Sequence, residues 1–482
     1  GQGVFLLSGY ILTAVLARWL MPSLYGLFVV VMTVLVWVEI TVNNGVPLAL
    51  QRLLPDGTLS QRSVRRSAAR CQDLISVGVF LVMLLAATLL AALLRDPSLT
   101  GYLRLAFVDV LAMGAYAYYR GVLNGHRAFR QLSLTIMAYS LTKLVAICLL
   151  VYLGFGVRGA LVGNVIASLG GLAAGSFWVR RRWSLPSEGR HQEGMGARAS
   201  VGERQVLAFV LPAALFTLAS NVLLGLDLMG VKALVGNEVV VGYYSAAVNL
   251  ANAPRLVLLA FSFTLLPSLS HAIAGQDWAQ TRHYLQQTTR LLALVLFPLL
   301  ALVTGTAQAL ITFVFSAAYQ PAAPILAVLI FTYAAYTVYI TLVTALLAEN
   351  RPGWALAIPA TLLPVAAAAI WLGITRFGAL GAAFGSLLAV GLAAAIVVGY
   401  VFRRYRPEIG AVSLARITLA AVAIGLLAWL WSPSGLALLL AYGLLAGLYL
   451  ALLLLLREIK PRDLALAGSW LRPESTPGSS QS

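Results

Sequence analysis

Fourteen apolar stretches, each long enough to cross a lipid bilayer as a helix, follow one another along this chain with short polar breaks between them. A hydrocarbon core about 30 Å thick takes about 20 helical residues. The stretches run roughly 3–21, 24–42, 74–94, 101–123, 132–153, 158–179, 205–226, 239–266, 288–307, 324–346, 354–374, 379–401, 413–431 and 435–456. In lipid every backbone polar group must be satisfied internally, so only helices and closed barrels span it. The runs are continuously apolar rather than short and alternating, which excludes a barrel. The chain reads as an all-α integral membrane protein.

Only 10% of residues are charged, so the position of each charge is informative. Of the 33 Lys and Arg residues, 25 fall in the even-numbered loops, the helix ends beside them and the C-terminal tail. Excess Lys and Arg marks the cytoplasmic side. Both termini are therefore expected to be cytoplasmic, as an even number of spans requires. The net charge of +17 then reflects topology and contact with an anionic inner leaflet. It does not indicate nucleic acid. Cys71 and Cys148 carry no disulfide or metal spacing, and no metal site is expected. The chain opens Gly1-Gln2-Gly3 without Met, and its first apolar stretch reads as a retained helix rather than a cleaved leader.

A polar stretch at 180–204 divides the helices six and eight. It reads as a flexible cytoplasmic linker between an N-lobe over 1–179 and a C-lobe over 205–402. Two further helices occupy 403–456, and a cytoplasmic tail covers 457–482, disordered from Arg472. The lobes look related. Gly26 has a counterpart in Gly242, and Arg18 in Lys232. Leu53-Leu54-Pro55 matches Leu265-Leu266-Pro267, and Leu123 with Arg127 matches Leu347 with Arg351. The offsets are nearly equal, which indicates a parallel repeat with substrate between the lobes.

The run Leu16-Ala17-Arg18-Trp19-Leu20-Met21-Pro22-Ser23-Leu24-Tyr25-Gly26-Leu27-Phe28 resembles the opening signature of the Wzx-type polysaccharide-biosynthesis flippases. Asn44 through Ala49, then Gln51 through Pro55, is similar to that family's second-helix ending, and Asp227 through Ala247 to its seventh-to-eighth helix passage. Met21 departs from the pattern, since the family commonly has Gly before the Pro. That family shares a superfamily with the lipid II flippases and the MATE multidrug exporters. The resemblance implies two six-helix lobes forming a V-shaped central cavity, plus two C-terminal helices. It implies alternating-access translocation of a polyprenyl-pyrophosphate-linked oligosaccharide across a bacterial or archaeal cytoplasmic membrane, with polysaccharide polymerase and glycosyltransferases as partners. No enzyme activity and no cofactor are implied; coupling to Na⁺ or H⁺ is open.

Charges inside spanning helices cost about 2.5–3.5 kcal/mol each on insertion scales and need a purpose. Lys143, Arg255, Arg18 and Arg52 are the candidates for binding a pyrophosphate. The alternatives are an ion pair with Asp109 for Lys143, snorkelling for Arg255, an interfacial anchor for Arg18 and an ordinary positive-inside role for Arg52. Glu39, Asp109, Asp227, Ser245, Asn249 and Asn252 are the polar or ion-coupling candidates; Ser245, Asn249, Asn252 and Arg255 fall on one third of a helix. Tyr116, Tyr119, Tyr333 and Tyr336 are candidates for stacking on sugars, against the plainer reading of interhelical packing. The alternative functions are a MATE-type multidrug or cation antiporter and a lipid II flippase. The antiporter would want acidic residues in helix one, and none is present. A membrane glycosyltransferase would need a loop with catalytic carboxylates or histidines. The external loops are short, and His126, His191, His271 and His283 all fall on the cytoplasmic side of this topology.

Overall fold

The computed structural model describes residues 2–54, 61–183, 203–255, 269, 272–273, 275–349, 352–407, 410–431 and 433–458. Most of the 180–204 linker, the end of the 239–266 span and the tail from Arg472 lie outside the described residues. The elements are α1 (Gln2–Asn44), α2 (Val46–Leu53), α3 (Gln61–Leu93), α4 (Leu99–Phe107), α5 (Asp109–Gly125), α6 (Phe129–Leu150), α7 (Gly156–Trp183), α8 (Glu203–Val235) and α9 (Glu238–Ala251). There follow α10 (Trp278–Gly305), α11 (Ala307–Val314), α12 (Ala323–Ala348), α13 (Pro352–Tyr405), α14 (Ala411–Trp431) and α15 (Ala437–Leu455). The described residues form ten apolar helical stretches able to cross a membrane.

Three of those stretches are longer than one crossing because each folds back on itself. The first reverses at Met21 (φ 61°, ψ 165°). Phe5 and Asn43 line one cavity, although a straight helix would place them about 57 Å apart. The second joins α6 to α7 through one π turn, with Gly154 and Gly156 at positive φ. Gly163 then lies against Ile147 and Gly170 against Thr142, the spacing of an antiparallel pair. The third, α13, reverses at Gly378 (φ 60°), which brings Gly373 and Gly381 backbone to backbone. Each reversal replaces a polar loop by one or two residues in a backbone region that L side chains avoid.

Helices in lipid gain nothing hydrophobic from meeting one another, so close approach of small residues carries the packing. One such approach joins the two halves of the chain. A Cβ on Gly26 would sit 2.6 Å from Gly242 N, and one on Gly242 would overlap Pro22 O. The outward faces are apolar: Leu74, Leu81, Leu85, Leu89 and Leu93 of α3 and Leu436, Leu440 and Leu444 at α15 are exposed, as lipid requires.

At the far end of α15 the carboxylate of Glu458 is buried. Arg290 Nε donates to Glu458 Oε1 at 2.9 Å, Ser413 Oγ donates to the same oxygen, and Arg416 lies 3.8 Å from Oε2. This joins α15 to the middle of α10 and the start of α14.

Candidate functional site

One end of the molecule is closed by contacts between its two sequence halves. Arg18 Nε and Nη2 donate to the carbonyls of Val314 (3.1 Å) and Phe313 (2.5 Å), the free C-terminal acceptors of α11. Tyr319 Oη donates to Ala17 O at 2.8 Å. Lys232 Nζ, from α8, reaches Asp96 Oδ2 in the α3–α4 turn and Glu238 Oε1, each at 2.7 Å. Burial pushes the Asp96 carboxyl up, but hydrogen bonds from Lys232 and Ser98 outweigh it and hold the group below the usual carboxylate range. Arg18, a candidate for binding pyrophosphate, and its counterpart Lys232 thus tie the halves together. Arg18 is exposed and not among the cavity-lining residues.

Beneath this end, a cavity of about 360 Å³ lies between the halves. Lys143 enters from α6 and Arg255 from just beyond α9. Asn249, Asn252, Asp227 and Tyr333 share its wall with Thr33 and Trp37 of α1. The expected stripe on one helix is modified. α9 ends at Ala251 and the chain turns through Asn252–Ala253, yet Asn249, Asn252 and Arg255 still line one space. Ser245 is fully buried away from that wall. Asn249 donates to Tyr25 Oη at 3.0 Å. Asp227 accepts from Tyr244 Oη at 2.7 Å and from the Leu228 amide at 2.7 Å.

A second cavity of about 500 Å³ opens within the N-terminal half and shares Lys143 with the first. Glu39, Asn43, Tyr116, Arg120, Tyr139 and Asn164 line it. The pairing expected between Asp109 and Lys143 is not made. Asp109 Oδ2 accepts instead from Asn164 Nδ2 at 2.7 Å, and Glu39 is its carboxyl neighbour. Lys143 Nζ contacts Tyr139 Oη at 3.5 Å and lies 5.7 Å from that ring. The reason is azimuth: residues at one depth on adjacent helices need not face each other. Glu39 points away from Thr33 and Trp37, as its position on α1 predicts, and does not meet Arg255.

Arg120 is the functional candidate that sequence reasoning assigns to a cytoplasmic loop. It sits on α5, donates to Asn43 Oδ1 at 2.7 Å and lies 4.8 Å from the Tyr116 ring centre. Asp109, Met113, Tyr116 and Arg120 fall on one helical face at 100° per residue, a signal available in the sequence. The other half repeats the device, with Arg255 5.6 Å from the Tyr336 ring. Tyr116 stacks on Tyr139 at 5.2 Å, and Tyr333 is on the central wall. Tyr119 instead packs edge-on to Tyr118. The side chain of Arg52 lies outside the described residues.

A bundle of membrane-length apolar helices with polar, cation-bearing cavities between and within its halves defines a multi-pass membrane protein. The profile of the family described as "Polysaccharide biosynthesis protein" matches residues 15–324, and the chain belongs to that family. Among solved structures it is similar to the lipid II flippase MurJ in an inward closed conformation (13% identity, 95% of this chain and 97% of that one, TM-score 0.74). It is also similar to an inward-facing multidrug resistance MATE transporter of the MOP superfamily (14% identity, 84% and 95%, TM-score 0.69). A third similar structure is a MOP superfamily transporter from Pyrococcus furiosus, whose title states that reverse polarity of its binding pocket suggests a different function (14% identity, 84% and 93%, TM-score 0.58). No curated protein matches the chain significantly.

Proposed function

We propose that this protein is a flippase that moves a polyprenyl-pyrophosphate-linked oligosaccharide across the cytoplasmic membrane by alternating access. In this reading fourteen spans form two six-helix lobes and two C-terminal helices, with both termini cytoplasmic, and the end bearing Met21 and Lys232 faces outward. The observation that carries it is that Lys143 and Arg255, one from each half, line a single cavity. Two cations in one cavity between the halves suit an anionic head and oppose a cationic drug. The amide groups of Asn249 and Asn252 supply neutral contacts beside them, and Tyr333 offers a ring to sugar. The exposed apolar flanks leave the polyprenyl tail in lipid. A lipid II flippase is the second reading, favoured by the MurJ likeness over nearly the whole chain.

The test is flipping of a lipid-linked oligosaccharide in proteoliposomes by wild type, Lys143→Ala and Arg255→Ala. Transport by wild type, lost in either variant with folding intact, supports the reading. Export of cationic dyes with no movement of the lipid refutes it. Lipid II as the sole substrate selects the second reading.

A further inference from the structure

We propose that Tyr25 is a positioning residue for transport: while the outer end is closed its hydroxyl holds one N–H of Asn249, and parting of the halves gives that N–H to the bound anionic head. Head binding and outer opening are thereby coupled through one hydrogen bond. This rests on the anionic-substrate reading above and adds to it the residue that reports occupancy of the cavity to the closed end.

Tyr25 stands where an apolar plug meets a polar wall. It follows the Met21 reversal by one turn, in the first half, and is 1% exposed. On one side its ring joins rings of the second half. Phe315 and Tyr319 each lie 6.0 Å away, Tyr319 edge-on, and Tyr243 packs on Tyr319 at 6.2 Å. Tilted and edge-on rings at these distances attract one another. The plug adjoins the contacts that close this end, since Arg18 reaches the carbonyls of Phe313 and Val314 and Tyr319 Oη donates to Ala17 O. On the other side, Tyr25 Oη accepts from Asn249 Nδ2 at 3.0 Å. Asn249 lines the central cavity with Asn252 and Arg255. The bond therefore crosses the halves, from α9 to α1, and one of its partners faces the substrate.

An asparagine amide carries two N–H donors. While the end is closed, one of them is committed to Tyr25. Asn249, Asn252 and Arg255 all belong to the second half, so they stay with the head when the halves part, and Tyr25 leaves with the first half. The freed N–H then meets an anion, and a bond to a charged acceptor is about twice as strong as the neutral bond it replaces. An empty cavity offers it only water. The head thus gains a contact in the open state that it lacks in the closed one, and a ligand shifts an equilibrium only by such a difference. By linkage, opening tightens head binding by the same factor. Tyr319 supplies the contrast. Its bond to Ala17 O also crosses the halves, but neither residue lines the central cavity, so it holds the end closed without sensing the head.

The experiment uses the full chain in nanodiscs, with Cys71→Ala and Cys148→Ala. Spin labels are attached at Gly101→Cys and Gln308→Cys, both exposed and one on each half at the outer end. Double electron–electron resonance reads the ratio of long to short distances with and without geranyl pyrophosphate, whose binding is followed by calorimetry. The probe should raise the open-to-closed ratio on the order of tenfold. Tyr25→Phe keeps the ring. It should raise the ratio on the order of fivefold without probe and leave a probe response below about twofold. Tyr319→Phe should raise the ratio without probe and retain the full probe response, a split that mere weakening of the plug would not give. Probe binding that leaves the wild-type ratio unchanged, or a full probe response in Tyr25→Phe, overturns the inference while leaving the anion site intact. So does a probe response lost equally in both variants. No probe binding at all overturns the basic-cavity reading and the inference with it.

Discussion

Met21 performs a reversal that the other two hairpins assign to glycine, and replacing it should stabilise the protein. Its φ of 61° and ψ of 165° lie in a region that is essentially glycine-only and costs about 1–3 kcal/mol for other residues. The extended ψ is what a following proline demands, so the strain sits in φ and cannot relax toward the helical region. The side chain is 59% exposed, and truncation removes little packing. Met21→Gly relieves the strain but adds freedom to the unfolded chain, a penalty of about 0.5–1 kcal/mol. The net is a gain of about 0.5–2 kcal/mol. Met21→Ala keeps the steric problem and should fall within about 0.5 kcal/mol of wild type. Met21→Val, branched at Cβ, should be the least stable. The assay is thermal unfolding in one detergent, followed by fluorescence and by retention of the monodisperse gel-filtration peak, with all four proteins at one scan rate. The order Gly above Met and Ala, with Val lowest, is expected. A Gly variant less stable than wild type, or an Ala variant stabilised as much as Gly, would show that the reversal is not held by backbone strain.

Gly242→Ala places a methyl group onto Pro22 O and should cost at least about 1–3 kcal/mol, read as reduced folded yield and a lower unfolding midpoint, whereas Gly443→Ala, with open space around it, should not. Lys232→Met leaves Asp96 and Glu238 facing each other across the halves; both are partly exposed, so the loss is about 1 kcal/mol. Thiol labelling of Thr13→Cys, inside the central cavity, from that end should accelerate about fivefold. Because the Asp96 carboxyl is held below its ordinary value near 3.9, this contact is at full strength above that pH and is lost as pH falls through the lowered value, so labelling of the Lys232-containing protein should accelerate only in acid. Glu458→Ala removes the buried acceptor of Arg290 and Ser413. Since Arg290 is 42% exposed, the cost should be about 1–2 kcal/mol, seen as easier proteolysis of the α14–α15 hairpin in detergent.

What the sequence made legible follows from what a membrane constrains. Crossing length is fixed by lipid thickness, so the apolar spans and their turns were readable, including 3–21 against 24–42 and 354–374 against 379–401. Depth was readable too, because it is distance along a helix, and it placed Asp109 and Lys143 near one level. Azimuth was not, which is why Asp109 pairs with Asn164 and not Lys143, and why Arg120, one turn past Tyr116, was counted with a loop. Contacts across the halves were legible only through the internal repeat, and the repeat says more than it first suggests. The repeat expected from the sequence makes Gly26 and Gly242 counterparts, and they meet each other. The same expectation makes Arg18 and Lys232 counterparts, and they do not meet: Arg18 reaches the carbonyls of Phe313 and Val314 in the second half, while Lys232 reaches Asp96 in the first. Under a twofold relation, residues beside the axis must touch their own counterparts, and residues away from it must reach across to something else. The contacts of the glycine pair and of the cation pair both fit that relation. The two cations also need not loosen together, because one is held by helix carbonyls that do not titrate and the other by carboxylates that do.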